Sequence, residues 1–232
     1  GMPAEDISEQ FTKWNREELN SFLIEITADI IKYRDDNGYL LERIRDTAGQ
    51  KGTGKWTAIA ALEYGVPVTL IGEAVFSRCL SALKNERVLA SQQLSGASTV
   101  MKVDNLNEFL YHLKYALYCA KIISYAQGFM LMREAANENK WKLNNGGIAL
   151  MWRGGCIIRS VFLNNIKQAY ENNSNLSNLL MDPFFTEALK TGQTSWREVV
   201  SKAILWGIPV PTLSTALSFY DGYRCKKYLP IV

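Results

Sequence analysis

Apolar residues recur at helical spacing along almost the whole chain. Leu19, Phe22, Leu23, Ile26, Ile30 and Ile31 form one stripe, which Asp35-Asp36-Asn37-Gly38 closes in a turn. Asn15 with Glu18 reads as an N-x-x-E capping box ahead of that stripe, and Trp14 with Leu19 takes the two positions of a hydrophobic staple. Asn105 with Glu108 predicts a second helix start, leading through Phe109, Leu113, Leu117 and Ile123 to about Ala136. Ser195 with Glu198 predicts a third, running to Trp206 and stopped by Gly207 and Pro209. Gly146, Gly147, Gly154 and Gly155 flank or enter a predicted helix from Met151 to Phe162, and Gly147 and Gly154 would share one face and admit close helix contact. Strand-like alternation is nearly absent, so the pattern predicts an all-α fold.

The pattern also repeats. Gly65-Val66-Pro67-Val68-Thr69-Leu70 resembles Gly207-Ile208-Pro209-Val210-Pro211-Thr212-Leu213, at an offset of about 140 residues. Gly49-Gln50…Trp56 resembles Gly192-Gln193…Trp196, each tryptophan leading into a short helix that ends at the later glycine, and the capped helix after Asn15 resembles the one after Asn105. These matches predict a duplicated multi-helix unit.

Composition narrows the function classes. The 232 residues are 47% hydrophobic and 21% charged, which suits a globular protein with a substantial core. A net charge of +3 with scattered basic residues argues against nucleic acid as a partner, and Arg224, Lys226 and Lys227 read as a solvated end. Cys79, Cys119, Cys156 and Cys225 are widely spaced, three of them inside apolar helical patterns where a thiol acts as a small buried hydrophobe. That usage suits a reducing compartment and argues against zinc; no metal is expected. The sole histidine, His112, reads as structural. No signal peptide is visible, Gly1-Met2 looks like an expression remnant, and Glu73, Arg78, Arg153 and Arg159 interrupt the longest apolar stretches. A soluble, cytoplasmic chain with no membrane partner is expected.

Candidate chemistry concentrates in Ile44-Arg45-Asp46-Thr47-Ala48-Gly49-Gln50-Lys51-Gly52-Thr53-Gly54-Lys55-Trp56. Glycines bring backbone N–H groups close to a ligand, lysines supply positive charge, and a helix beginning just afterwards adds its N-terminal partial charge. Gly49-x-x-x-x-Gly54-Lys55 fits the first seven Walker A positions, but Trp56 stands where Ser or Thr should hold magnesium, and no buried strand precedes it. A P-loop is therefore rejected. Two readings remain, a glycine-rich helix connection with solvated lysines and an anion site. The repeat favours the anion site, because Gln193 and Trp196 are joined without the Lys-Gly-Thr insertion. Arg78, in the apolar run Leu70 to Leu80, is costly to bury unless it pairs with Glu73, Glu86 or an anionic ligand. It aligns with Asp221 in the second copy, so the cationic character belongs to one copy alone.

These residues resemble the 6-phosphogluconate dehydrogenase family, the decarboxylating enzymes of the pentose phosphate pathway. Ile44, Asp46, Gly49, Gln50, Lys51, Gly52, Thr53, Gly54 and Trp56 fit the family signature. Phe22 to Thr27, Ala61 to Gly65, Lys121 to Gly128, Gly147 to Gly155 and Ala216 to Arg224 are similar to family sequence as well. The resemblance covers roughly 11–224 and only the family's large C-terminal helical domain. Residues 1–10 are expected to be linker, and 225–232 a divergent tail.

The resemblance implies that Lys51, Thr53 and Arg78 hold the phosphate of 6-phosphogluconate. It also implies that the complete enzyme uses NADP to oxidise and decarboxylate that sugar acid to ribulose 5-phosphate, and that the domain forms a homodimer. The family's Rossmann domain and its catalytic lysine and glutamate would lie upstream of Phe11, and its substrate-reaching tail beyond Arg224. No catalytic residue, bound NADP or turnover is therefore expected of this chain by itself. The alternative is a truncated isoform that acts as a dimerisation or interaction module.

Overall fold

In the computed structural model, which describes residues 1–98 and 100–227, the chain divides into two units. The first comprises Gly1–Asp46 and Lys142–Phe184, the second Thr47–Trp141 and Phe185–Val232. Ten α-helices cover most of the described residues, and the only strands among them are two of two residues each. The expected all-α architecture is present.

In the first unit, α1 (Ala4–Trp14) packs on α2 (Phe22–Lys32), and the Ser8 hydroxyl donates to the Ala28 carbonyl at 2.7 Å. Residues 4–10, expected as linker, are thus part of the helical packing. Asn15 is the C-terminal cap of α1 rather than an N-cap; its Oδ1 accepts the Ser21 N–H at 2.9 Å, and Ser21 caps α2 in its place. Trp14 and Leu19 are both buried, but with Asn15 ending α1 they do not flank a helix N-cap as a staple would. The turn at Asp35 to Gly38 is a hairpin, pairing β1 (Arg34–Asp35) with β2 (Gly38–Tyr39). The helix expected from Met151 to Phe162 is absent. Instead α7 (Asn145–Met151) and α8 (Phe162–Asn172) flank an irregular stretch in which Gly155 takes φ 65°. Gly154 has open space around it and mediates no helix contact; Gly146 does, facing the Lys167 carbonyl of α8.

The second unit holds α3 (Thr53–Glu63), α4 (Thr69–Ala82), α5 (Lys84–Gln93), α6 (Leu106–Asn139), α10 (Pro211–Tyr223) and most of α9 (Pro183–Leu205). Asn105 caps α6 as expected, its Oδ1 accepting the Glu108 N–H at 3.2 Å. Lys140 ends that helix in the left-handed conformation at φ 58°, with the Trp141 N–H returning to the Ala136 carbonyl at 2.9 Å. Helix α9 runs unbroken through Ser195, so the third capping box does not form. Ser195 is buried and its Oγ lies 2.9 Å from His112 Nδ1 on α6. His112, expected to be structural, makes this contact between α6 and α9. Gly192, also inside α9, lets that helix approach α6: a Cβ there would sit 2.5 Å from Cys119 Sγ. Of the cysteines, only Cys119 is buried, and burial pushes its thiol up to about 12. Cys79 is exposed and Cys156 lies in the irregular stretch, which corrects the expectation of three core thiols.

The repeat is real but local. Gly65 at φ 63° and Gly207 at φ 68° close α3 and α9 alike, and the residue after each donates back five positions at 2.8 Å, Val66 to Ala61 and Ile208 to Ala203. Helices α4 and α10 follow in the two copies and pack on each other. Upstream the copies differ, because α3 starts afresh after a loop whereas α9 is continuous. Residues 228–232, most of the expected divergent tail, lie outside the described residues.

Candidate phosphate-binding loop

The loop before α3 is shaped by what its glycines permit. Gly52, the N-cap residue of α3, has φ 143°, a region open to glycine and strained for any residue with a Cβ. It offers no side chain to the first turn, so the leading amides of α3 have no side-chain cap. Gly54 permits a second constraint, since a Cβ there would lie 2.9 Å from Val75 Cγ2 and push α3 off α4. Trp56 is 66% exposed and lies across Gly52.

Helix α4 is placed from below by α6. Gln127, fully buried, accepts the Leu70 N–H on its Oε1 at 2.9 Å and donates from Nε2 to Thr69 Oγ1 at 2.9 Å. This side chain caps α4, which has no cap of its own. From α4, Arg78 donates through Nη2 to the Gly49 carbonyl, and Ser81 Oγ accepts the Ala48 N–H at 2.9 Å. Arg78 therefore stands against the loop that carries Lys51 and Thr53. Arg78, Lys51 and Thr53 are all exposed, and no ion pair among the described residues engages Arg78 or Lys51. Neither Glu73 nor Glu86 neutralises Arg78, and the expected burial cost does not arise because the side chain is in solvent.

The second copy contains the opposite arrangement. Asp221 of α10 receives Arg197 Nη1 at 2.8 Å and Arg197 Nη2 at 2.5 Å, with Arg224 Nε at 3.1 Å. The Arg197 hydrogen bond is the main cause holding the Asp221 carboxyl below its usual value. Trp196 is fully buried, its Nε1 donating to the Leu213 carbonyl at 3.1 Å. The Asp221 carboxylate is thus taken up by two arginines.

The sequence singles out Lys51, Thr53 and Arg78 as candidates but not Gln127 and Ser81, whose partners are 57 and 33 positions away. Nor does it single out Lys121, whose burial on α6 brings its ammonium down to about 8. No cluster of three or more His, Cys, Asp or Glu among the described residues is arranged for a metal ion, and no described helix is long and apolar enough to cross a membrane.

A family model described as 6-phosphogluconate dehydrogenase, C-terminal domain, matches residues 1–230, extending past 11–224 at both ends. The chain is similar to the decarboxylating 6-phosphogluconate dehydrogenase of Drosophila melanogaster, with 74% identity over 227 residues, 98% of this chain and 47% of that protein. The human enzyme of the same name is 61% identical over 225 residues, again covering 47% of its length. Among solved structures is Plasmodium falciparum 6-phosphogluconate dehydrogenase, described in its apo form and in complexes with its cofactor NADP+ and its substrate 6-phosphogluconate. It matches with a TM-score of 0.94 at 42% identity, over 99% of this chain and 50% of its own. The chain spans about half the length of these relatives. By the match over nearly all its residues, it belongs to the 6-phosphogluconate dehydrogenase family, as that family's C-terminal domain.

Proposed function

We propose that this chain is the substrate-holding and dimerising domain of an enzyme that oxidises and decarboxylates 6-phosphogluconate to ribulose 5-phosphate. Lys51, Thr53 and Arg78 bind the phosphate in this reading. The observation that carries it is the Arg78 hydrogen bond to the Gly49 carbonyl, which fixes a guanidinium to the loop that carries Lys51 and leads into Thr53 and the uncapped first turn of α3. An ammonium, a planar forked donor and free N–H groups together suit a phosphate dianion. Binding energy gathered at the phosphate, away from the reacting carbons, orients the sugar for chemistry.

The described residues contain no strand–glycine–helix unit fit to cradle a dinucleotide, so no step through NADP is assigned to them. Hydride and proton transfer depend on parts of the enzyme beyond this domain, and the chain by itself is inactive. Exposed apolar side chains such as Phe76 and Leu80 on α4 support a homodimer, which light scattering at micromolar concentration tests. Four free cysteines support a reducing, cytoplasmic setting.

The deciding measurement is calorimetric titration of the chain with 6-phosphogluconate and with gluconate. Lys51→Ala and Arg78→Ala each weaken the phosphate ester roughly ten- to hundredfold, the worth of a charged hydrogen bond, and leave gluconate unchanged. Equal affinities for the two sugar acids overturn the assignment.

A further inference from the structure

We infer that Ser81 is a positioning residue that holds the loop 47–51 in register for a phosphate ester, an inference that rests on the reading of Lys51, Thr53 and Arg78 just given. Between Thr47 and Lys51 the described backbone makes no backbone–backbone hydrogen bond, so the loop depends on side chains for its place. Two of these come from one face of α4. Ser81 lies three positions after Arg78, hence on the same side of the helix. Its Oγ accepts the Ala48 N–H at 2.9 Å and donates to the Arg78 carbonyl at 2.8 Å, with the Ala48 carbonyl farther away at 3.3 Å. A hydroxyl has one proton and two lone pairs, so Ser81 serves both partners at once.

Arg78 then takes the carbonyl of the next residue, Gly49. Consecutive loop residues are thus gripped by side chains three apart on α4. The Ser81 carbonyl in turn accepts Arg87 Nη2 of α5 at 3.1 Å, which ties the end of α4 to the following helix. A guanidinium offers five N–H donors, and the bond to Gly49 uses only one of them. With Ser81 fixing Ala48 and Arg78 fixing Gly49, the loop that carries Lys51 is set before any anion arrives, and binding does not have to order it first.

The test compares Ser81→Ala, Ser81→Val and Ser81→Thr in this chain, by titration with 6-phosphogluconate and by hydrogen exchange at the Ala48 amide. Val and Thr have nearly the same volume, so the pair separates the hydroxyl from packing. Ala and Val are expected to weaken affinity about three- to tenfold, the range for one neutral hydrogen bond, and to speed Ala48 exchange; Thr keeps both near wild type. Wild-type affinity in both Ala and Val variants, or unchanged Ala48 exchange, overturns the positioning role. A drop shared equally by Thr and Val overturns it too, since packing then explains the effect. Lys51→Ala run alongside separates the two readings. If it loses affinity and Ser81→Ala does not, only the role of Ser81 falls. If neither it nor Arg78→Ala loses affinity, or if the wild-type chain takes no 6-phosphogluconate, the phosphate reading falls with it.

Discussion

The two copies of the helix–glycine–helix unit start from related sequences and end in opposite roles. In the first copy Trp56 is 66% exposed, a loop interrupts the chain before α3, and Arg78 is turned toward that loop. In the second Trp196 is 0% exposed, α9 runs straight through, and Asp221 is held by two arginines. The shared part is the glycine C-cap and the helix that follows it, which depend on local backbone geometry. What differs is whether the preceding segment is a spanning helix packed through its tryptophan or a glycine loop with its side chains left in solvent. A duplicated scaffold can thus keep one copy for packing and leave the loop of the other in solvent.

The sharpest way to break this comparison is to exchange the fates of the tryptophans. Trp196→Ala should cost about 3–5 kcal/mol in chemical denaturation, as expected for a large core side chain, while Trp56→Ala should cost under about 1 kcal/mol. Comparable losses would mean that the first copy packs its tryptophan as well. Next in size, Gly192→Ala should destabilise by about 1–3 kcal/mol, because its Cβ would meet Cys119 Sγ at 2.5 Å. A neutral result would show that α9 and α6 have room to spare.

A smaller effect is expected at Asp221. Its folded value lies below the ordinary 3.8, so its stabilisation is present above that pH and is lost as pH falls through the lower, folded value. Asp221→Asn should cost about 0.5–1 kcal/mol at pH 7, discounted for partial exposure, and the variant's unfolding free energy should fall less steeply below about pH 4. Parallel curves for variant and wild type would remove the ion pair from the account. Smallest of all, Arg78→Ala should change stability by under about 0.5 kcal/mol, since the side chain is in solvent. An unfolded Arg78→Ala protein would make Arg78 a structural strut like Arg197 and erase the contrast between the copies.

Asn15 and Asn105 show how far local pattern could be read. Both begin an N-x-x-E box, yet only Asn105 is an N-cap. The difference is α1, a helix that the apolar periodicity did not reveal; it ends at Trp14 and turns Asn15 into its C-cap. Ser195 failed as a cap for a tertiary reason, because α9 is held against α6 by Gly192 and the Ser195 hydroxyl meets His112 across that contact. The expected helix from Met151 to Phe162 failed because the stretch around Gly155 takes a left-handed residue that a continuous helix excludes.

The sequence by itself determined the all-α class, the family, and the residue types of the candidate loop, because periodicity, glycine spacing and a signature motif are all short-range properties. Tertiary structure alone decided that Arg78 is exposed and reaches Gly49, that Ser81 holds Ala48, and that Gln127 caps α4. Each of these contacts joins residues 29 to 57 positions apart, where only the packing of a helix on a distant loop or helix brings donor to acceptor.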